Sequence, residues 1–357
     1  MPDRAKASQA GRSRPANGGF AREISAKGVP AEVSAAKSGP PKGGPAKGSS
    51  AKGGPVKTGA PNDGRARTGS ANGPERLDIR KTYKLYIAGA FPRSESGRSY
   101  PVRAADGAVL AGAAQASRKD ARDAVTAARG AFGKWSGATA YNRGQVLYRV
   151  AEMLEGRAAQ FAAEVAAAEG VAAAAARRQV TAAVDRWVWY AGWPDKVAQV
   201  AGAANAVAGP YFNFSVPEPT GVVAVIAPAE SSLLGLVSVL APVIATGNTA
   251  VVVASEPRPL PSMTLSEVLA TSDVPAGVVN VLTGRTGELA PVLAGHMDVN
   301  AIDLSGIDPP ARAEFERLAA ANVKRVFAAA EDWAAPPGTR RMLAFLETKT
   351  VWHPVGI

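Results

Sequence analysis

From Ser231 to Ser255 the chain carries no charged residue. Such a run of 25 residues is long enough to cross a bilayer or to be buried on every side of a soluble core. Pro242 and the Gly247-Asn248 turn interrupt it, and β-branched runs flank it. Gly221-Val-Val-Ala-Val-Ile-Ala227 reads as a continuous apolar strand, about 232–246 as a buried helix, and Thr249-Ala-Val-Val-Val-Ala254 as a second strand. Buried strands joined by a helix imply a parallel sheet with a right-handed crossover. The alternation continues with a helix over 264–271, strands at Val278–Leu282 and Ala301–Leu304, and a helix over about 310–323 leading to Val326. The expectation is an α/β fold with a doubly wound parallel sheet, soluble and cytoplasmic, with no membrane contact.

Upstream, residues 80–105 read as a short β region, with alternating apolar positions in Tyr83-Lys-Leu-Tyr-Ile-Ala-Gly89 before a turn. Ser117-Arg-Lys-Asp120 is a helix start, and Ala124, Ala127, Ala128, Ala131 and Phe132 follow at helical spacing. Arg143 to Glu169 continues as one apolar face through Val146, Leu147, Val150, Met153, Leu154, Phe161 and Val165. The Trp187, Trp189, Tyr190 and Trp193 cluster reads as helix core or interface, with a ligand platform as the alternative. Ala208 to Pro219 is aromatic, extended and Pro-punctuated, which suits an exposed or edge strand pair.

The net charge of +11 is unevenly distributed. Residues 1–74 hold 13 Lys/Arg against 4 Asp/Glu, with 14 Gly, 9 Pro and a single aromatic, Phe20. So little apolar surface cannot offset a backbone ordering entropy of roughly 1–2 kcal/mol per residue, so this Lys/Ala/Gly/Pro-rich tail is expected to be disordered. It contains a short repeat, Lys42-Gly-Gly-Pro-Ala-Lys47 and Lys52-Gly-Gly-Pro-Val-Lys57, and no apolar segment typical of a secretory signal. Its charge admits a salt-sensitive, sequence-blind polyanion contact. The sequence has no Cys, which excludes disulfides, thiolate metal centres and a cysteine nucleophile. Its two histidines, His296 and His353, form no ligand pair, so no metal is expected.

In order along the body, several segments resemble the NAD(P)-dependent aldehyde dehydrogenase superfamily. Lys84-Leu-Tyr-Ile-Ala-Gly89 with Arg93-Ser-Glu-Ser-Gly-Arg98 is similar to the family's N-terminal hairpin. Pro219 to Pro228 resembles its first Rossmann strand, and Ala245-Thr-Gly-Asn-Thr249, Val274 to Gly284 and Ala321 to Val326 resemble later landmarks. Phe345-Leu-Glu-Thr-Lys-Thr-Val-Trp352 is similar to the family's C-terminal oligomerisation tail. The resemblance implies a Rossmann-like sheet with flanking N-terminal helices and a small β oligomerisation element. The implied division is a dinucleotide-binding domain over 75–330 that includes oligomerisation strands at about 208–219, a linker at 331–340, and an oligomerisation tail at 341–357.

The departures carry as much information as the matches. In the resembled family a catalytic domain bearing a cysteine nucleophile lies where this chain has only the short segment from Phe327 to Arg340. The family's oxyanion-stabilising Asn corresponds to Glu230, whose carboxylate would repel an oxyanion, and its general-base Glu corresponds to Ala329. No catalytic residue is therefore expected. Glu230 reads as an exposed cap at a strand-to-helix turn, with a repurposed acid as the alternative, and Ser231 and Ser232 read as cap or turn residues. The resemblance maps a vestigial cofactor set onto Ile226, Pro228, Glu256, Gly284, Ser305 and Gly306. The family's Lys is Val253 here, and losing that charge-assisted hydrogen bond costs on the order of 1.5–3 kcal/mol. Its second glycine aligns with Ala311, and Asp308 would repel a phosphate. No cofactor is expected, or NAD or NADP at weak affinity. The functional expectation is a pseudoenzyme subunit that assembles with, and stabilises or regulates, a full-length aldehyde dehydrogenase. The alternatives are an NAD(P)-dependent oxidoreductase of altered mechanism and a polyanion-binding protein acting through residues 1–74.

Overall fold

The computed structural model describes residues 79–329 and 331–356, so the basic tail over 1–74 lies outside the described residues. The described chain opens with β1 (Thr82–Tyr83), β2 (Ser99–Arg103) and β3 (Val109–Ala114), a small sheet of order β1-β3-β2. Four helices follow: α1 (Arg118–Ser136), α2 (Ala140–Glu155), α3 (Ala158–Glu169) and α4 (Ala173–Ala191). At the start of α1 the Ser117 hydroxyl accepts from the amides of Lys119 and Asp120, while the Asp120 carboxylate accepts from the Ser117 amide. This reciprocal cap satisfies amides that a helix start leaves orphaned. The continuous face expected over 143–169 divides into α2 and α3 at Gly156 and Arg157. On α4, Trp187 is fully buried in the core.

Next come α5 (Val197–Ala201), β4 (Ala203–Asn205) and β5 (Tyr211–Pro219), then the alternating region. It consists of β6 (Val222–Ile226), α6 (Leu234–Ala245), β7 (Thr249–Val253), α7 (Leu260–Ala270), β8 (Val279–Leu282), α8 (Thr286–Gly295) and β9 (Ala301–Asp303). A 3-10 turn at Pro309–Ala311 leads into α9 (Arg312–Ala320), β10 (Arg325–Phe327), α10 (Arg340–Ala344) and β11 (Leu346–Pro354). The central sheet has five strands, all parallel, in the order β10-β9-β6-β7-β8. Chain direction across the sheet reverses beside β6, so a topological switch point lies between β6 and β9. Every residue of β6 and β7 is buried, because helices cover both faces. Alternate residues serve opposite cores: Val223 and Val225 join Trp135, Phe161 and Leu240, while Ala224 and Ile226 join Leu85, Leu289 and Phe315.

Helix α6 runs through Pro242, as the expected helix over about 232–246 does. The structure corrects the sequence expectation at four elements. Helix α7 begins at Leu260, earlier than 264, because Pro259 and Pro261 sit at its start, where missing amide donors do no harm. The expected final helix is shorter, and α8 had not been anticipated; its Gly and Pro content concealed buried Leu289, Ala290, Leu293 and Ala294. Lastly, β5 is no edge strand. It is the centre of a second three-stranded sheet, antiparallel to β11 over its whole length and to β4 on the other side. Among the described residues no helix is long and apolar enough to cross a membrane.

At the opposite end of the sheet, Lys324 is buried in the turn between α9 and β10 and donates to Asn322. Burial pushes its pKa down to about 8 from 10.5. Protonating Lys324 therefore opposes folding, a penalty fully present below about pH 8 and relieved as the pH rises through the ordinary lysine range. Lys324→Met is expected to raise the melting temperature at neutral pH and to flatten its rise across the alkaline range. A pH profile identical to that of the unsubstituted chain would contradict this.

Candidate functional site

At the C-terminal ends of the central strands lies a cleft of about 810 Å³, where open α/β sheets place their ligands. The turns after β6, β7 and β9 and the start of α8 contribute Ala227, Ala229, Glu256, Arg258, Arg285 and Gly306, and Tyr100 closes one side. Gly306 fixes the geometry. Its amide donates to the Ile226 carbonyl at 3.0 Å, and a Cβ there would lie 2.2 Å from the Ala227 carbonyl oxygen. Only glycine lets this turn approach the end of β6 so closely. Across the cleft the Glu256 carboxylate accepts from Arg285 Nη1 at 2.6 Å and from the Thr286 amide at 2.9 Å. Arg258 reaches the Ala168 carbonyl with Nε and the Ala229 carbonyl with Nη1.

Of the six residues mapped as a cofactor set, Glu256 and Gly306 line the cleft. Ile226 lies beneath Gly306 as its hydrogen-bond acceptor. Gly284, at φ +147°, abuts the Ala116 backbone, and Pro228 packs near Gly235. Ser305 turns away: its amide donates to Asp303 Oδ1 and its hydroxyl accepts from Arg341. Ser231 and Ser232 serve the start of α6. The Ser231 hydroxyl accepts from the Gly235 amide, and the Glu169 carboxylate accepts from both the amide and the hydroxyl of Ser232. His296 ends α8 with Nδ1 accepting from the Asp298 amide, and burial lowers its pKa. His353 is exposed on β11. Among the described residues no cluster of three or more His, Cys, Asp or Glu could hold a metal.

The segment after β10 folds back over the strand ends. Trp333 Nε1 donates to Glu230 Oε1 at 2.7 Å, so the residue that the resemblance set against an oxyanion donor is held by an indole, and Ala329 is buried. Arg341, only 3% exposed, pairs with the fully buried Asp303 and with Glu331 at 2.9 Å. Burial opposes its charge, yet Asp303 and Glu331 together hold its pKa above the ordinary arginine value. Arg186 reaches the Ala335 carbonyl and the Ser238 hydroxyl, and the Tyr190 hydroxyl donates to the Gly338 carbonyl. The expected linker is thus anchored at four side chains. Sequence reading passed over Arg341 and Trp333. The available signal was Asp303 inside an apolar strand, since a buried carboxylate requires a partner.

The sequence profile of the aldehyde dehydrogenase family matches residues 92–331. Over 258 residues the chain is 30% identical to the cytosolic 10-formyltetrahydrofolate dehydrogenase of Mus musculus, spanning 71% of this chain and 28% of that protein. It is 31% identical to an aldehyde dehydrogenase of Davidiella tassiana, with 68% of this chain and 49% of that protein covered. Among solved structures, HpcC from Thermus thermophilus superposes with a TM-score of 0.65 at 30% identity, covering 69% of this chain and 48% of that one. Betaine aldehyde dehydrogenase from Staphylococcus aureus, solved in complex with NAD+, gives 0.66 at 26% identity, with 69% and 49% covered. The chain therefore spans about half or less of the proteins it matches.

Removing one partner of a buried ion pair strands the other. Arg341→Met should cost about 3–5 kcal/mol of stability in urea denaturation. Adding Asp303→Asn, which removes the stranded charge, should recover part of that loss. A double variant no more stable than Arg341→Met would show that the pair is not what holds this segment.

Proposed function

The chain belongs to the aldehyde dehydrogenase family, and from that premise we propose that it is a non-catalytic subunit that assembles with a full-length aldehyde dehydrogenase and stabilises or regulates it. The observation that carries this reading is the sheet of β11, β5 and β4, which leaves aromatic surface in water on both faces. Tyr211 and Trp352 pack edge-on with ring centroids 5.8 Å apart, yet remain 46% and 58% exposed. One position along, on the opposite face, Phe212 is 53% exposed beside Phe214. Contiguous exposed apolar surface of this kind marks an interaction site. Among the described residues the outer edge of the nine-residue β11 pairs with no strand, and such an edge is a template for a strand from another chain.

Chemistry supports the non-catalytic half of the reading. Oxidising an aldehyde by hydride transfer goes through a tetrahedral adduct that needs a nucleophile and a donor for its oxyanion. The sequence has no Cys, and Glu230 and Ala329 occupy the positions that the resemblance assigns to donor and base. The Glu230 carboxylate is already engaged by Trp333 Nε1.

The test combines the full-length 357-residue chain with a purified full-length aldehyde dehydrogenase from the same organism. Complex mass by light scattering and aldehyde-dependent NADH formation are then measured. The expected result is a hetero-oligomer whose assembly weakens at least about tenfold with Trp352→Glu, a change of about 1.4 kcal/mol, with no turnover by the chain alone. Turnover by the isolated chain would overturn the reading in favour of the oxidoreductase alternative.

A further inference from the structure

We infer that the switch-point cleft of this chain excludes NAD(P), and that the block lies at residues 308–311, where a dinucleotide's pyrophosphate would need donors. In open α/β sheets an anionic group is held by free backbone amides at a helix N-terminus beside the switch point. The stretch after β9 has almost none to give. The Ser305 amide donates to Asp303 Oδ1, that of Gly306 to the Ile226 carbonyl, and that of Ile307 to the Leu304 carbonyl. Pro309 and Pro310 carry no N–H, and the Ala311 amide donates to the Asp308 carbonyl at 2.9 Å. What remains is the amide of Asp308, an acidic residue that itself lines the cleft. A negative charge there repels a phosphate where a helix start would otherwise attract it.

Most other donors around the cleft are engaged within the protein. At the start of α8 the Thr286 amide donates to Glu256, and the amides of Glu288 and Leu289 donate to the Arg285 carbonyl, which leaves that of Gly287. Arg285 pairs with Glu256, Arg258 bridges two carbonyls, and Arg103 donates to the Gly107 carbonyl. Both oxygens of Glu256, a residue of the mapped cofactor set, already accept hydrogen bonds. The cleft has the position and size for a nucleotide but offers few free amides to its diphosphate, one of them on an acidic residue.

This inference stands apart from the assembly reading, because a subunit could join a partner with or without a cofactor of its own. The experiment titrates NADH and NADPH into the full-length chain, following nucleotide and tryptophan fluorescence, with calorimetry for NAD+ and NADP+. No saturable binding up to about 1 mM is expected, the regime weaker than roughly −4 kcal/mol. The companion variant combines Asp308→Ser, Pro309→Ala, Pro310→Ala and Ala311→Gly. All four positions are exposed, so the core is untouched, and circular dichroism verifies the fold. It should gain binding by at least about tenfold, with Asp308→Ser alone giving a smaller gain. Saturable binding by the unsubstituted chain overturns the inference. A folded quadruple variant that gains nothing overturns the assignment of the block to residues 308–311.

Discussion

The arrangement depends on an ion pair that water does not reach. Asp303 ends the strand beside the switch point with its carboxylate fully buried, and Arg341 meets it there from the segment leading into β11. A lone charge at that depth would be intolerable, so Asp303 makes the return of the later chain obligatory. The same guanidinium reaches Ser305 and Glu331, which sets the turn preceding Gly306 and lays the segment carrying Trp333 over the strand ends. One interaction thereby shapes the rim of the cleft and positions the root of β11.

Two regions of the fold have consequently diverged in character. The cleft is inward-looking: its arginines, the Glu256 carboxylate and the Thr286 and Gly306 amides have found partners within the chain. The β11-β5-β4 sheet is outward-looking, with Tyr211, Phe212 and Trp352 in solvent. It is this contrast between an exposed aromatic sheet and an internally satisfied cleft on which the proposed assembly role rests.

Much of this was legible in the sequence, for physical reasons that differ by element. The strands β6 and β7 were readable because burial on both faces demands nearly continuous apolar residues. Gly306 was reached only through the family resemblance, and the structure gives it a different ground, a turn that tolerates no Cβ. By contrast, α8 was hidden because tertiary packing overrides the local propensities of Gly287 and Pro291. The central position of β5 was hidden because its neighbour β11 is remote in sequence and its prolines suggest an edge. Arg341 was hidden because charge pairing across 38 residues leaves no periodic trace.

That remoteness gives the second sheet a timetable. During synthesis β5 emerges with only β4 to pair with. Residues 346–354 follow roughly 130 residues later, a delay on the order of 10 s at ribosomal rates. Through that interval one side of β5 is an open template, the stage at which a nascent chain is most exposed to mispairing or to capture by a chaperone. Chains interrupted before β11 cannot form the Tyr211–Trp352 pair. The paired aromatic platform therefore exists only on chains translated through β11.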